Sequence, residues 1–546
     1  MENIETSKTD PMVSPWARWL MPCIADVVFV SIFLTVLFVG NKLLADADTA
    51  WHIRTGDYIV SRMEVPRADV FSYRKYGEIW IAFEWGSDVI FSLLHRFAGL
   101  NGIVVFSGLV IACTFFLLFR MLESYRSNIL VVTLVTVLTA VTSSIHWLAR
   151  PHLLSMCLTV VWYFLLESHQ RRPQTKHFIL FPLLTVFWVN LHGGYMVGFV
   201  LIGIYAIGNV ITWLMAALRG LRPDTKVIRS LALIGLFSFL AALLNPYGYH
   251  LLLFPFEVIG STPAMDNVSE WHSPSFHKFS YYEVYLILLV VTFMASSKKV
   301  SLIELGVTVF SIHISLFAQR YVPMFAILMA PVLGQRLDDL YRTAVNRPSP
   351  FSVIRGLQKR AFESIKNVEF LNRHFNRHIH PFMLGLVMFI LVLNGGGVFG
   401  TTFLDYKFHG ENYPIRAVEF LRQNSLSGNM YNSYVFGGYL IYSFFPDPRY
   451  RVFVDGRAFV GGDDYLTESL KVSFLTPEWR ETLEKHRVNW VIEGSRSPFS
   501  VFLSAHRDWK LVYSDEVASI FVKNVPENRP IMDRYSDVKP FVGTRN

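Results

Sequence analysis

"LLADADTAWHIRTGDYIV", residues 43–60, follows directly on one of the most apolar stretches of the chain. It sets Asp46, Asp48, His52, Arg54 and Asp57 close together where that oily segment ends. Charged and titratable groups are costly in hydrocarbon, so a chain that gathers them at the mouth of an apolar span is expected to use them. Whether the preceding segment crosses a membrane therefore decides how the rest is read.

Composition answers first. The chain has 546 residues, 52% hydrophobic and 17% charged, with a mean hydropathy of +0.36. A soluble chain carries about a quarter charged residues. That shortfall, with apolar runs recurring near ~20 residues, predicts a polytopic α-helical membrane protein. Eleven candidate spans cover residues 22–44, 100–120, 128–148, 152–168, 178–191, 195–217, 230–247, 281–297, 302–319, 321–334 and 381–403. The opening "MENIETSKTDPMVSPWARWL" is polar, has two acids before its first basic residue, and leads to no small-residue cleavage site. The first apolar run is thus read as a retained span and not a signal peptide. Cys23, Cys113 and Cys157 all lie in apolar runs, without metal-site spacing or a disulfide framework.

The loops give an orientation. Arg171, Arg172 and Lys176, then Arg219, Arg222, Lys226 and Arg229, then Lys298 and Lys299 fall on one side. Segment 335–380 joins them with nine Lys/Arg against four acids. The alternate loops are acidic: residues 45–88 hold five basic and eight acidic side chains. By the positive-inside rule the basic loops, and residues 1–21, are cytoplasmic, and the C-terminal region lies outside. The net charge of +8 is then topological, favours anionic membrane lipids, and excludes nucleic acid as a partner.

Residues 22–404 form the transmembrane domain on this reading. Within it, residues 45–99 are a long first external loop carrying an interfacial amphipathic helix, with Val89, Ile90, Leu93, Leu94 and Phe97 at helical spacing. Residues 405–546 form an external soluble α/β domain. "PIRAVEFLRQN" and "LTPEWRETLEKHR" read as helices, the second capped by Thr476. "NMYNSYVFGGYLIYSF", "RYRVFVDGRAF", "VNWVIEG" and the pair "WKLVYS"/"ASIFVKN" read as strands.

The polar residues beside the spans gather on the external side. Asp46 and Asp48 follow the first span. His146, Arg150 and His152 lie in "SSIHWLARPHLLS", Asn190 and His192 in "FWVNLHGGYMVG", and Asn245 and Tyr247 in "LLNPYGYH". Glu270 and His272 lie in "SEWHSPSFH", and Arg320 in "FAQRYVP". Each motif alone has a plainer reading. Asp46 and Asp48 suit helix caps, Arg150 a snorkelling anchor, "NLHGG" a tight turn, and Glu270 a solvated loop acid. Asp455-Gly456-Arg457 and Gly437-Gly438 read as turns. Together, however, the external groups fit a substrate with a lipid tail in the bilayer and a phosphorylated head at its surface. Arg150, His152, His192 and Arg320 suit the phosphate, with His52, Arg54, Asn190, Asn245, Glu270 and His272 as further substrate contacts. Asp46, Asp48 or Glu84 suits the base that takes an acceptor's proton. The aspartate pair also has the composition to hold Mg²⁺ or Mn²⁺ with substrate phosphates.

At these residues the chain resembles a family. "DADTAWHIRTGDYIV", "VPRADVFSY", "AFEW", "RPHLLS", "NLHGG", "NPYG", "EWHSP" and "VFVDGR" resemble bacterial multi-span proteins placed near the GT-C membrane glycosyltransferases, such as the protein mannosyltransferases and aminoarabinose transferases. The resemblance implies a GT-C-like fold, a catalytic carboxylate at Asp46 or Asp48, and a sugar donor on a polyprenyl phosphate. It places the chain in a bacterial inner membrane with its C-terminal domain periplasmic or extracellular. Two departures narrow it: Ala47 separates the two acids, and the soluble domain lacks the Trp-Trp-Asp motif of oligosaccharyltransferases. The first departs from the adjacent acids of the protein mannosyltransferases; the second argues against whole-glycan transfer and favours transfer of a single sugar to an envelope acceptor. The rival expectations are a non-catalytic scaffold recruiting a protein partner through residues 405–546, and a transporter or flippase. The latter would carry charges near the bilayer midplane, and the sequence sets them at span ends.

Overall fold

The computed structural model describes residues 20–347, 351–375 and 378–541. Residues 1–19 of the expected cytoplasmic segment and Arg377 of the basic loop lie outside these. Each of the eleven apolar segments carries a helix. They are α1 (Ile24–Phe38), α3 (Trp85–Glu123), α4 (Ile129–Ser143), α5 (His152–Arg171), α6 (His177–Leu191), α7 (Tyr195–Leu218), α8 (Lys226–Ala242), α10 (Tyr281–Ala295), α11 (Leu302–Phe317), α12 (Val322–Asn346) and α14 (Ile379–Leu393). Among the described residues three helices, Trp85–Glu123, Ile129–His146 and Tyr195–Leu218, are long and apolar enough to cross a membrane. Six further apolar helices of 10–17 residues are shorter than a perpendicular span needs.

Local chemistry starts several of these helices. Asn128 accepts from the Leu130 N–H, Ser280 from Tyr282 and Ser301 from Glu304, satisfying donors that a helix start leaves free. Facing sides pack into one core through Phe33, Ile103, Phe115, Trp162, Trp188 and Tyr285. The outward sides expose Leu134, Phe187, Ile207, Phe239, Val290 and Phe389. Large apolar side chains exposed along so many helices are the surface of a bundle embedded in lipid.

The first external loop differs from expectation. It begins with α2 (Asp48–Arg62), which buries Trp51, His52, Ile53 and Thr55. α3 is two helices meeting at a kink at Gly99, whose φ of 58° and ψ of −152° a side chain would resist, so the helical stretch holding Val89–Phe97 is set off from the apolar helix that follows. Two further helices occupy loops, α9 (His250–Gly260) and α13 (Ser352–His374).

The C-terminal residues form a small α/β unit around a four-stranded sheet. Its elements are α15 (Ile415–Gln423), β1 (Asn429–Asn432), α16 (Tyr434–Phe444), α17 (Asp464–Ser473), α18 (Trp479–Lys485), β2 (Val488–Gly494), α19 (Pro498–Ala505), β3 (Trp509–Ser514) and β4 (Ala518–Lys523). The order is β1-β2-β4-β3, parallel between β1 and β2 and antiparallel elsewhere. Two expected strands are corrected. "YVFGGYLIYSF" is helical, because its aromatic run is buried around α16 and not along a pleat. "RYRVFVDGRAF" joins no sheet strand; it runs beside the first loop, where Val452 N–H donates to Phe71 O at 3.1 Å and Tyr73 N–H to Val452 O at 3.2 Å. The Thr476 helix starts only at Trp479, with Glu478 as its cap residue.

Asp455-Gly456-Arg457, expected to be a plain turn, fastens the soluble unit to the first loop. The Arg457 guanidinium bonds Asp69 at 2.7 Å and both oxygens of Asp455 at 2.8 and 2.7 Å. It lies against the Phe71 and Trp80 rings, 4.8 and 4.5 Å from their centroids. Tyr465 O–H donates to Asp455 at 2.7 Å.

Candidate active site

The ends of α1, α5, α6 and α11 bring residues from five separate loops into one buried cluster. Its centre is Arg150. Nη1 bonds Asp46 Oδ2 at 3.0 Å and Glu270 Oε2 at 3.1 Å, and Nη2 bonds Asp48 Oδ2 at 2.7 Å. Glu270 is shared: its other oxygen accepts from Arg320 Nη1 at 2.9 Å. Arg320 in turn lies 4.3 Å from the centroid of the Trp271 ring. Glu84, the residue before α3, sits between two imidazoles, with His192 Nε2 at 3.5 Å and His52 Nε2 at 3.8 Å. Gly194 N–H donates to His192 Nδ1 at 2.9 Å, so the His192 proton resides on Nε2, facing Glu84. His52 Nδ1 lies 2.6 Å from Asp88 Oδ1, which fixes that ring.

The electrostatics separate the carboxyls. Burial pushes Asp48 up to about 7 against the opposing pull of Arg150. Burial likewise raises Glu84 to about 8. Glu270 goes the other way: burial would raise it, but Arg150 and Arg320 outweigh that and hold it near about 2. His52 is held far below the usual histidine range by burial and Arg150. Burial, then Arg320 and Arg150, lower His192 to about 3. Near neutral pH the cluster therefore has two guanidinium charges, an ionised Glu270, a half-ionised Asp48, a protonated Glu84 and neutral imidazoles.

The C-terminal unit closes over this cluster. Gly456 lies so near Asp48 that a Cβ there would overlap Asp48 Oδ1, and a Cβ on Gly438 would overlap the Ala47 carbonyl. Tyr413 O–H donates to Leu44 O. Arg54, expected to contact substrate, is a strut to this unit: it bonds Asp57 at 2.8 Å and Tyr442 O at 2.7 Å.

The remaining expected residues fall around the edge. His152 bonds the His146 carbonyl at 2.7 Å, and His146 Nε2 reaches Glu270 at 3.9 Å. Asn190 ties loops together, accepting from Trp85 Nε1 at 2.8 Å and donating to Leu244 O at 3.0 Å. Asn245 closes its own turn on Ala242 and Gly248, and Tyr247 bonds Pro66 O at 2.7 Å. His272 is exposed and turned to the Asp266 carbonyl at 2.9 Å, away from the cluster.

Three contributors escape the motif reading. Trp51 donates to Asp48 Oδ1 at 2.9 Å, Ser155 bonds His192 Nδ1 at 2.8 Å, and Asp88 holds His52. Spacing carries a faint signal for two of them, since Trp51 and Asp88 lie one helical turn after Asp48 and Glu84.

The aspartates offer the carboxylate oxygens that Mg²⁺ and Mn²⁺ take, and each of these oxygens is also held by an N–H donor. All four of their oxygens already accept N–H bonds: Asp46 from Asp48 N and Arg150, Asp48 from Trp51 and Arg150. A divalent ion would have to displace a guanidinium.

No family model matches this chain, and no curated protein does. Among solved structures, the oligosaccharyltransferase of Archaeoglobus fulgidus with a tethered acceptor peptide is 12% identical, covering 86% of this chain and 69% of its own, at a TM-score of 0.47. AglB of the same organism, in complex with an inhibitory peptide and a dolichol-phosphate, is 11% identical over 90% and 75% at 0.43. ArnT of Cupriavidus metallidurans, bound to undecaprenyl phosphate, is 13% identical over 92% and 98% at 0.42. These likenesses are of general chain arrangement, at low identity.

Proposed function

We propose that this chain is a membrane glycosyltransferase that moves a single sugar from a polyprenyl-phosphate donor to an envelope acceptor, on the external face of a bacterial inner membrane. The reading places residues 22–404 in the membrane and the unit from 405 onward outside. The observation that carries it is the Asp46–Arg150–Asp48 and Glu270–Arg320 cluster, assembled where apolar helices end and roofed by a soluble unit. A lipid-borne phosphate enters such a site from the bilayer side. Among the described residues Arg320 Nε and Nη2 make no hydrogen bond, which leaves one edge of that guanidinium for phosphate oxygens.

Asp48 suits the base. A carboxyl near 7 is ionised for about half the molecules at neutral pH, where a general base works best. The acceptor hydroxyl passes its proton to Asp48, its oxygen bonds the sugar's anomeric carbon, and the bond from that carbon to the phosphate oxygen breaks. The released phosphate charge falls to Arg150 and Arg320. Glu84, protonated between His52 and His192, keeps negative charge off that side of the site.

The donor assignment is tested by native mass spectrometry of the purified chain with undecaprenyl phosphate. One lipid bound per parent chain and none on Arg320→Gln is expected; equal binding to both, or to neither, refutes it. One observation favours the scaffold reading instead: the cluster is closed by its own ion pairs. A scaffold would use it as a lock between helices and soluble unit. It would then keep its cellular role in an Asp48→Asn variant, whereas a transferase would not.

A further inference from the structure

At the opposite end of α1 from the aspartates lies a second cluster. Cys23 is the residue before α1 and Asp26 is in its first turn; His378 and His380 begin α14. Cys23 Sγ lies 3.6 Å from His378 Nδ1, which lies 2.8 Å from Asp26 Oδ1. One donor atom each from Cys23, Asp26 and His378 fall within 4.8 Å of one another. Cys23 and Asp26 are buried at 2% and 0% exposure, while the two imidazoles, at 31%, line a way in.

His380 supplies the decisive detail. Its Nε2 faces the Leu20 carbonyl at 3.2 Å. A carbonyl only accepts, so Nε2 carries a proton, and in the neutral ring Nδ1 presents a lone pair. That Nδ1 is buried and makes no hydrogen bond, yet it faces Asp26 Oδ2 at 3.6 Å. In the neutral ring a lone pair turned toward a carboxylate oxygen is repulsive unless a proton or a metal cation sits between them. A histidine that donates its outer N–H to a backbone carbonyl while its other nitrogen stays bare is the arrangement of a metal ligand.

We infer that Cys23, Asp26, His378 and His380 bind one zinc ion, which ties the start of the first helix to the start of the helix leading into the soluble unit. The spacing fits. A tetrahedral zinc with Zn–S about 2.3 Å and Zn–N about 2.0 Å sets sulfur and nitrogen about 3.5 Å apart, against 3.6 Å here. One thiolate, two imidazoles and a carboxylate are donors that zinc accepts, whereas Mg²⁺ and Ca²⁺ prefer oxygen. Binding deprotonates the Cys23 thiol and releases that proton to solvent. The ligands lie up to 357 positions apart, so no sequence spacing reveals them.

The test uses the full chain in detergent, stripped with a chelator and reloaded with Zn²⁺ or Co²⁺. One zinc per chain is expected by elemental mass spectrometry, and Co²⁺ should give a thiolate-to-cobalt charge-transfer band. Cys23→Ser should lose both and Cys113→Ser keep both. His380→Asn should weaken binding at least about tenfold. His378→Cys, which exchanges one zinc ligand for another, should retain the metal, so that loss in Cys23→Ser is not a failure to fold. Absence of stoichiometric zinc from the parent, its retention in Cys23→Ser, or equal loss from Cys113→Ser overturns the site.

Discussion

Replacing Arg150 with methionine removes the one cation that three carboxylates share. Asp46, Asp48 and Glu270 accept from it at 3.0, 2.7 and 3.1 Å. Breaking a buried pair in this way costs about 3–5 kcal/mol, because the partners keep their burial and lose their compensation. The pH dependence carries the diagnosis. Asp48 titrates at about 7 in the folded chain and at about 3.9 unfolded. Between those values the folded state holds one proton more than the unfolded one. Stability therefore falls with rising pH by about 1.4 kcal/mol per unit, levelling off above pH 7. Without Arg150 the Asp48 carboxyl moves further up, and the fall continues past 7. The parent still follows part of this slope above 7, so the Arg150→Met deficit is expected to widen by about 1 kcal/mol between pH 7 and 8. SDS-titrated unfolding in mixed micelles, followed by tryptophan fluorescence, measures it at both values. A deficit under about 1 kcal/mol, or one identical at the two pH values, would refute the claim that Arg150 neutralises Asp48.

Other substitutions probe separate parts. With a polyprenyl-phosphate sugar supplied to the purified chain, turnover should rise through pH 7 as Asp48 ionises; Asp48→Asn should cut the rate by about 10²-fold or more and remove that limb. A limb that survives Asp48→Asn excludes it as the base. Gly456→Val drives side-chain atoms into Asp48, so limited proteolysis should release the C-terminal unit faster than in the parent; an unchanged cleavage rate would mean the unit does not seat there. Arg457→Met leaves Asp69 and Asp455 buried and unpaired and should lower stability by about 3–5 kcal/mol; Lys485→Met, on the exposed side of the same unit, should change it by less than about 1 kcal/mol.

Much of this was legible before any coordinates, and the reason differs from place to place. The apolar segments declare themselves through composition, since lipid imposes a simple demand on every side chain that faces it. Asp46, Asp48, Arg150, His192, Glu270 and Arg320 could be grouped because loop charge alone sends them to one side of the membrane. Their contacts could not be read, since they join loops 50 to 120 residues apart. The failures are instructive in the soluble unit. "YVFGGYLIYSF" is uniformly apolar and lacks either period, so helix and strand are indistinguishable in it until its packing is known. Arg457 looks like a turn residue because Asp69, its partner outside the motif, is 388 positions away. Arg54 and Asn190 were rightly singled out as polar residues beside spans, yet in the structure they bind backbone carbonyls and hold loops in place.

The central claim is transfer of a sugar from a lipid phosphate at the Asp46–Asp48 site. Its most direct test is mass spectrometry of envelope glycans and lipid-linked sugars from cells carrying the gene intact, deleted, or with Asp46→Ala and Asp48→Ala. The account predicts one glycan lost equally in the deletion and the double variant, with its lipid-phosphate donor accumulating. Unchanged glycans in both strains, with the variant protein still present at normal level in the membrane, would contradict it.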